Sequence, residues 1–358
     1  MLLKLAIALR AKGAEQKIIS LGSLDDIGPE LKKLGFEVEA LGMRSAAGLL
    51  RALFKARSSI RKFRPDIVQT WLYHANLVGG LACRWAGGCK LIWGIRRSDL
   101  SDDTNKRSTL LVVRFCSQLS RLLPHGILCN SSRALETHSD IGYDRNRMQV
   151  IPNGFETDDF RRCLLERKYW RSLLDISEDR ILVGWAGRNH PIKSPADFLR
   201  AALILSVRYP EIQFIMVGAG LEPGDKLLDG IMRSEAFNSK VKLFGPCDEM
   251  PGFLSALDIF VSSSIGEGFS NVLAEAMCCE APCVATDVGD SANIIGEAGL
   301  VAKPGDPENL ALRMEDLVIA GSDQRAEIGR AARNRIISKW TINAVADQYL
   351  SYYQQVLK

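Results

Sequence analysis

Residues Ile259 to Asp287 read IFVSSSIGEGFSNVLAEAMCCEAPCVATD. A short apolar, β-branched run leads through the turn Gly266-Glu267-Gly268-Phe269 into a helical pattern starting at Ser270 and Asn271, and a second apolar run, PCVATD, closes the segment. Strand, helix and strand in that order make a βαβ unit, whose strands lie parallel. The same rhythm extends both ways: RILVGWAG, IQFIMVGAG and VKLFGP precede the segment and GLVAKPG follows it. A polar, irregular stretch after VIPNGFETDDF interrupts the rhythm, and before it KIISLG, FEVEALG, DIVQTW, KLIWGI, GILCN and QVIPNG alternate with helical patterns. This predicts an α/β protein of two doubly wound, Rossmann-like domains facing a central cleft. The expected domains are residues 1–155 and 156–340, with a linker near Pro152 to Phe160 and a last helix, 341–358, able to pack back on the first domain. Ligands of such sheets bind just beyond strand carboxyl ends, so the chemistry is sought there.

Length agrees with two domains, since 358 residues exceed the ~250–300 at which a single core stops growing. The nine cysteines form no C-x-x-C pair or His-rich cluster, so they read as buried small hydrophobes in a reducing compartment, and no metal is expected. The opening MLLKLAIALRAKG is apolar but short, is broken by Lys4 and lacks a small-residue cleavage site, which makes it an amphipathic helix of a cytoplasmic or peripheral protein. The chain starts directly in this helix, without the strand and glycine-rich turn that open a doubly wound domain, so the first domain is expected to lack its first strand.

Net charge is only +4, yet residues 1–160 hold 24 Lys/Arg against 16 Asp/Glu, making the first half +8 and the remainder −4. LLRALFKARSSIRKFR (Leu49 to Arg64) and KRSTLLVVRFCSQLSR (Lys106 to Arg121) concentrate the basic charge among Leu, Val and Phe. That mixture suits the inner face of an anionic cell membrane, and equally an ordinary solvated helix face over a packed core. No nucleic-acid partner is expected.

In the first segment, Gly268 allows close backbone approach, and the free N–H groups and dipole at the helix start suit a diphosphate. Glu267 before the helix and Glu275 within it bracket that position, where they can grip hydroxyls on either side of the diphosphate. Read singly, Glu267 is a loop-end acid and Glu275 a first-turn carboxylate favoured only by the helix dipole. A glycosidase pair would need carboxylates about 5–10 Å apart across one bond, typically from different elements, which this spacing disfavours. In VGWAGRNHPIKSPADFLRAA, strand Ile181 to Ala186 ends in Gly187 and Arg188, and Lys193 precedes a helix capped at Ser194. Two fixed cations at a strand end suit the charge that builds on a departing nucleoside diphosphate, though either is also an ordinary loop charge.

These residues resemble the family 4 retaining glycosyltransferases of the GT-B fold, over essentially the whole chain and most sharply between Ile181 and Asp287. GRNHPIK is similar to the family's Gly-Arg…Lys diphosphate site, and Glu267 with Glu275 to its glutamate pair separated by seven residues. The resemblance implies that Arg188 and Lys193, beside Gly187, bind the leaving diphosphate, Glu267 the donor sugar and Glu275 the ribose. It further implies backbone contacts from Gly268, Phe269, Ser270, Asn271 and Val272. In the first half TWLYHANLVGG, WGIRRSDL, NSS and VIPNGFE resemble members that build bacterial surface polysaccharides. His74 falls just past a strand end, placed to meet the transferring sugar or the acceptor hydroxyl, although a lone histidine is as often structural. Arg96 and Arg97 follow KLIWGI, facing the cleft or held in a loop salt bridge. The family's opening strand and Gly-Gly-Ala-Glu-like loop are not found here, and Asp290 stands where a glycine is often seen.

The function implied is transfer of a hexose or N-acetylhexosamine from a nucleoside diphosphate sugar to a saccharide or lipid-linked saccharide, with retained configuration and no cofactor. A nucleotide-sugar 2-epimerase, which shares the two-lobed fold, and a non-catalytic nucleotide-sugar-binding remnant are the alternatives.

Overall fold

A computed structural model of the chain describes residues 1–25, 27–43, 45–100, 106–221, 226–232 and 235–358. The chain divides into unit 1, residues 1–154 with 342–358, and unit 2, residues 155–341.

Unit 1 runs α1 (Leu2–Ala11), β1 (Lys17–Ser20), α2 (Gly28–Lys33), β2 (Glu37–Ala40), α3 (Leu49–Phe63), β3 (Ile67–Trp71), α4 (Tyr73–Ala86), β4 (Lys90–Ile95), α5 (Arg107–Leu119), β5 (Gly126–Cys129), α6 (Ser132–Asp140) and β6 (Met148–Val150). Its strands form two parallel sheets, β1-β2 and β3-β4-β5-β6. β4 and β5 are almost wholly buried, whereas β1 and β3, each hydrogen-bonded to one neighbour, are only half-buried apart from Thr70. Helix α1 is packed on two sides. Its Leu5, Ala8 and Leu9 join a cluster with Ile92, Leu128 and Tyr349, while Ala6 packs with Leu31 and Phe36. The terminal helix, α16 in chain order (Ile342–Leu357), lies in this unit against α1, through Val345, Ala346, Tyr349 and Tyr352. Gly154 is needed where the chain passes Ile342, because a Cβ there would stand 2.8 Å from the Ile342 Cα.

A polar pair lies inside the unit 1 core. The His138 ring is fully buried, its Nδ1 2.7 Å from the Ala134 carbonyl and its Nε2 2.9 Å from the Tyr73 hydroxyl. A carbonyl only accepts, so Nδ1 carries the proton and Nε2 accepts from Tyr73. Burial pushes the imidazole down from 6.5 to about 4, against the Ala134 hydrogen bond, which raises it. Between those two values the unfolded chain binds a proton that the folded chain refuses, so stability falls as pH drops through this window, by about 3 kcal/mol. Urea midpoints taken from pH 7.5 down to 4.5 should fall accordingly, and His138→Gln should flatten that dependence; equal slopes in both proteins would refute this origin.

Unit 2 continues with α7 (Leu164–Leu173), β7 (Leu182–Ala186), α8 (Pro195–Arg208), β8 (Gln213–Val217), α9 (Lys226–Ile231), α10 (Glu235–Asn238), β9 (Val241–Phe244), α11 (Met250–Ala256), β10 (Ile259–Ser262), α12 (Asn271–Cys278), β11 (Cys283–Thr286), α13 (Ser291–Ile295), β12 (Leu300–Ala302), α14 (Pro307–Ile319) and α15 (Gly321–Lys339). All six strands are parallel, in the order β12-β11-β10-β7-β8-β9. Both faces are covered, and the period of two sorts the strand residues between them. Leu182, Ala186, Ile215, Val217, Phe260 and Cys283 enter one core, while Val183, Trp185, Phe214, Met216, Ile259 and Val261 enter the other. The strands therefore lack polar faces, as the apolar runs of the sequence require.

Candidate functional site

β7 and β10 are neighbours at the centre of the unit 2 sheet, with Ile259 opposite Val183 and Val261 opposite Trp185. From β7 the chain proceeds to β8 and β9 on one side, and from β10 to β11 and β12 on the other. Loops leaving the carboxyl ends of such a pair part in opposite directions and open a crevice at the sheet's switch point. Both sequence motifs lie there, the first on the loop after β7, the second on the loop after β10.

Hydrogen bonds join the two loops. The Ser263 hydroxyl accepts from Trp185 Nε1 at 3.0 Å and donates to the Ser194 carbonyl at 2.7 Å, and the Ile265 N–H donates to the Ile192 carbonyl at 2.9 Å. Thr286 Oγ1 donates to the Ser264 carbonyl at 2.5 Å. At the centre, Lys193 Nζ lies 2.5 Å from Glu267 Oε1, which also accepts from Ser264 Oγ at 2.8 Å. The Lys193 and Glu267 side chains are 23% and 10% exposed, so this ion pair is partly shielded from water and less screened than a surface pair. Two glycines permit the close passage of backbone. At Gly218, φ +147°, a Cβ would stand 1.8 Å from the Gly187 carbonyl oxygen, and at Gly289, φ +58°, it would stand 2.4 Å from the Glu267 carbonyl oxygen.

Helix α12 points its first turn into the same place. Ser270 holds the N-cap position, and its hydroxyl is buried without a hydrogen-bond partner among the described residues and caps no N–H. The first turn of any helix carries N–H groups with no intrahelical acceptor and the positive end of the dipole. Such a turn, with an unpartnered hydroxyl at its N-cap, has the donors that a phosphate group requires.

The other expected residues fall as follows. Arg188 is exposed just beyond β7 and forms no ion pair among the described residues. The Gly187 N–H is tied to the Val217 carbonyl at 2.9 Å and the Gly268 carbonyl to the Asp290 N–H at 3.0 Å, so Asp290, where glycine was the family expectation, holds the loop through its backbone. Asn271 is exposed and Val272 packs partly on the core. The Phe269 ring is core, 5.9 Å from Phe155 and 5.8 Å from Trp340 between centroids, so its side chain is taken up by packing. Glu275 is half-buried in the second turn of α12, past the first-turn place. Ser194 precedes α8, but its hydroxyl donates to the Asp197 carboxylate at 2.7 Å and caps no backbone N–H, a correction to the expected cap.

In unit 1, His74 is exposed in the first turn of α4. The turn before it is strained, with Leu72 at φ +70°. The Leu72 N–H donates to the Gly94 carbonyl at 3.0 Å, and Thr70 Oγ1 donates to Asn76 Oδ1 at 2.6 Å, so the turn is held from both sides. Arg96 forms no salt bridge among the described residues. Its guanidinium lies 4.7 Å over the Trp71 ring and donates to Asn153, and burial lowers its pKa, as an arginine enclosed inside unit 1 requires. Trp185, Ser263, Ser264, Gly218 and Gly289 were not singled out by sequence, although the serine run before GEG and the glycines of VGAG and VGD were the available signals.

Comparisons with known proteins bear on this site. Residues 1–159 match the model of "Glycosyltransferase Family 4", and residues 180–320 that of "Glycosyl transferases group 1". The chain is 24% identical over 367 residues to the capsular polysaccharide biosynthesis glycosyltransferase CapM of Staphylococcus aureus, covering 98% of this chain and 92% of that protein. It is 23% identical over 310 residues to an Escherichia coli UDP-Gal:alpha-D-GlcNAc-diphosphoundecaprenol alpha-1,3-galactosyltransferase, covering 85% and 79%. The structure of Anabaena Alr3699/HepE in complex with UDP matches with a TM-score of 0.85 and 20% identity, over 98% of this chain and 96% of that one, a likeness of fold. With one model on each half and the two Rossmann-like domains of the GT-B fold beneath them, the chain belongs to the family 4, group 1 glycosyltransferases.

Proposed function

We propose that this glycosyltransferase moves a hexose or N-acetylhexosamine from a uridine diphosphate sugar to a saccharide on a lipid-linked carrier, with retained configuration and without a metal. The observation that carries the reading is the meeting of Lys193, Glu267 and the α12 N-terminus where β7 and β10 part. In this reading the diphosphate sits on the first turn of α12, Arg188 and Lys193 oppose the charge that grows as the glycosidic C–O bond breaks, and Glu267 accepts hydroxyls of the donor sugar. Glu275 takes the ribose. The acceptor oxygen bonds to the anomeric carbon, its proton passes to the departing phosphate oxygen, and His74 orients the acceptor. The choice of uridine and of a lipid-linked acceptor draws on the relatives named above. Contact with the inner face of a cell membrane follows from such an acceptor, and no described helix is long and apolar enough to cross a membrane.

Calorimetric titration with UDP- and GDP-sugars, followed by turnover assays, tests the reading. UDP-sugar binding that Glu267→Ala abolishes is the expected result, and binding of neither class would overturn it. Glu275→Ala is expected to weaken UDP affinity by about tenfold or more, the loss of one or two hydrogen bonds to a charged group. An unchanged Kd would remove Glu275 from the site.

A further inference from the structure

Helices α3, α4 and α5 cover one face of the unit 1 sheet, their Ala52, Ala56, Ile60, Val78, Ala82, Val113 and Cys116 sharing one core. α4 packs against both of the others, so the outer sides of the three helices form one continuous surface. At 100° per residue, Leu50 and Phe54 of α3 point away from Ala52, and Leu111 and Phe115 of α5 point away from Val113. These are the positions where a soluble helix carries charge. Here they hold large apolar side chains, 68%, 56%, 65% and 49% exposed, with Trp85 at the end of α4 43% and Leu122 beyond α5 74% exposed. The Phe54 and Trp85 rings meet edge-on at 4.8 Å, and the Arg57 guanidinium lies 4.3 Å over Trp85.

The charge on this face has one sign. α3, α4 and α5 contain no aspartate or glutamate, and Arg51, Lys55, Arg61, Arg84 and Arg114 stand exposed between the apolar residues. A protein partner or a second copy of this chain, whose facing surface would carry charges of both signs, does not match such a face. A nucleic acid does not match protruding leucines. An anionic bilayer fits both properties, because its headgroups pair with the guanidinium and ammonium groups, while the leucines and aromatic rings enter the headgroup and upper acyl layer.

We infer that the outer face of α3, α4 and α5 is a docking surface for an anionic lipid bilayer, reached by shallow insertion of Leu50, Phe54, Trp85, Leu111 and Phe115. The inference deepens the proposed function, since it names the surface from which a lipid-linked acceptor is met. It does not need the donor site, so each can fail alone.

The full chain is sedimented with extruded vesicles of phosphatidylcholine alone, or with roughly 30% phosphatidylglycerol, at two salt concentrations; partitioning onto the anionic vesicles should be at least about tenfold stronger and weaken with salt. A Phe54→Ser/Phe115→Ser variant and an Arg51→Gln/Lys55→Gln/Arg114→Gln variant should each lose about tenfold of that partitioning. Both change only exposed side chains of unit 1, and an unchanged near-UV circular dichroism spectrum with an unchanged urea midpoint would show each variant to be folded. Equal partitioning onto both vesicle types, or variants that partition like the parent chain, overturns the inference. So does a lipid-free dimer that the serine variant dissolves, which would assign the face to a second copy. Vesicle binding without any UDP-sugar binding would leave this surface standing and remove the donor reading.

Discussion

Arg188→Ala is expected to lower kcat for sugar transfer by about 10²–10³-fold, the loss typical when one group that stabilises developing transition-state charge is removed. The physical basis is where the residue stands and what it lacks. Arg188 lies at the carboxyl end of β7, exposed, with no carboxylate paired to it among the described residues. In the proposed reaction its charge would face the diphosphate and act more strongly as the leaving group becomes more negative, contributing more to the transition state than to the bound donor. The donor Kd should move much less than kcat. Stability should stay within about 0.5 kcal/mol, because no packed contact is removed. Lys193→Ala is different in kind, since it also strips Glu267 of its cation and should disturb donor binding and turnover together. Steady-state kinetics with calorimetry on both variants decides the matter: an Arg188→Ala enzyme with parental kcat would remove Arg188 from the reaction.

Asp258→Ala is expected to destabilise unit 2 by about 3–5 kcal/mol, the cost of leaving a buried charge without its partner. Asp258 stands just before β10, at the opposite end of that strand from the site. Its Oδ1 accepts from Arg167 Nη2 at 2.9 Å and its Oδ2 from Arg171 Nη1 at 3.0 Å and from the Leu182 N–H at 2.8 Å. The Arg171 side chain is only 2% exposed; its other bonds run to the Ala256, Ser177 and Arg180 carbonyls, and its second carboxylate neighbour, Glu178, stands farther off at 3.5 Å from Nε on a side chain that is 55% exposed. Without Asp258 the enclosed guanidinium keeps its dipoles and the more distant, solvent-screened Glu178 and loses its hydrogen-bonded counter-charge, and the Leu182 N–H at the start of β7 loses its acceptor as well. For a unit of this size the thermal midpoint should fall by roughly 10 °C. Adding Arg171→Met should recover part of the loss, because it removes the unpaired charge. UDP affinity well below the midpoint should be unchanged. A drop of less than about 1 kcal/mol in denaturant unfolding would show that water reaches Arg171.

The twelve strands of the described residues coincide with the apolar runs read from the sequence, β6 alone starting one residue earlier at Met148, because the period of two and the bounding glycines and polar residues act over a few neighbouring positions. The two loops that build the site were legible for the same reason: each is a strand end followed by turn residues and a helix start. The family and its glycosyltransferase activity were legible too, through residues 180 to 287 above all. What the local sequence did not contain is which distant groups meet. Lys193 and Glu267 are 74 residues apart, and they touch only because β10 pairs with β7 and not with β9. Arg96 was equally suited to a cleft or a loop ion pair, and the fold gave it Trp71 and Asn153 once burial had removed it from water. Ser194 sits where a cap belongs, yet its hydroxyl serves Asp197, because φ +43° turns it from the helix axis. The outward leucines and rings of α3 and α5 look, in sequence, like either a membrane face or part of a core. Sequence alone determined the element types, the family and the motifs that carry charge, since these depend on short-range periodicity and residue chemistry. Tertiary structure decided which charges pair, which rings are enclosed and which apolar side chains remain in water, since these depend on strand order and on the burial that strand order imposes.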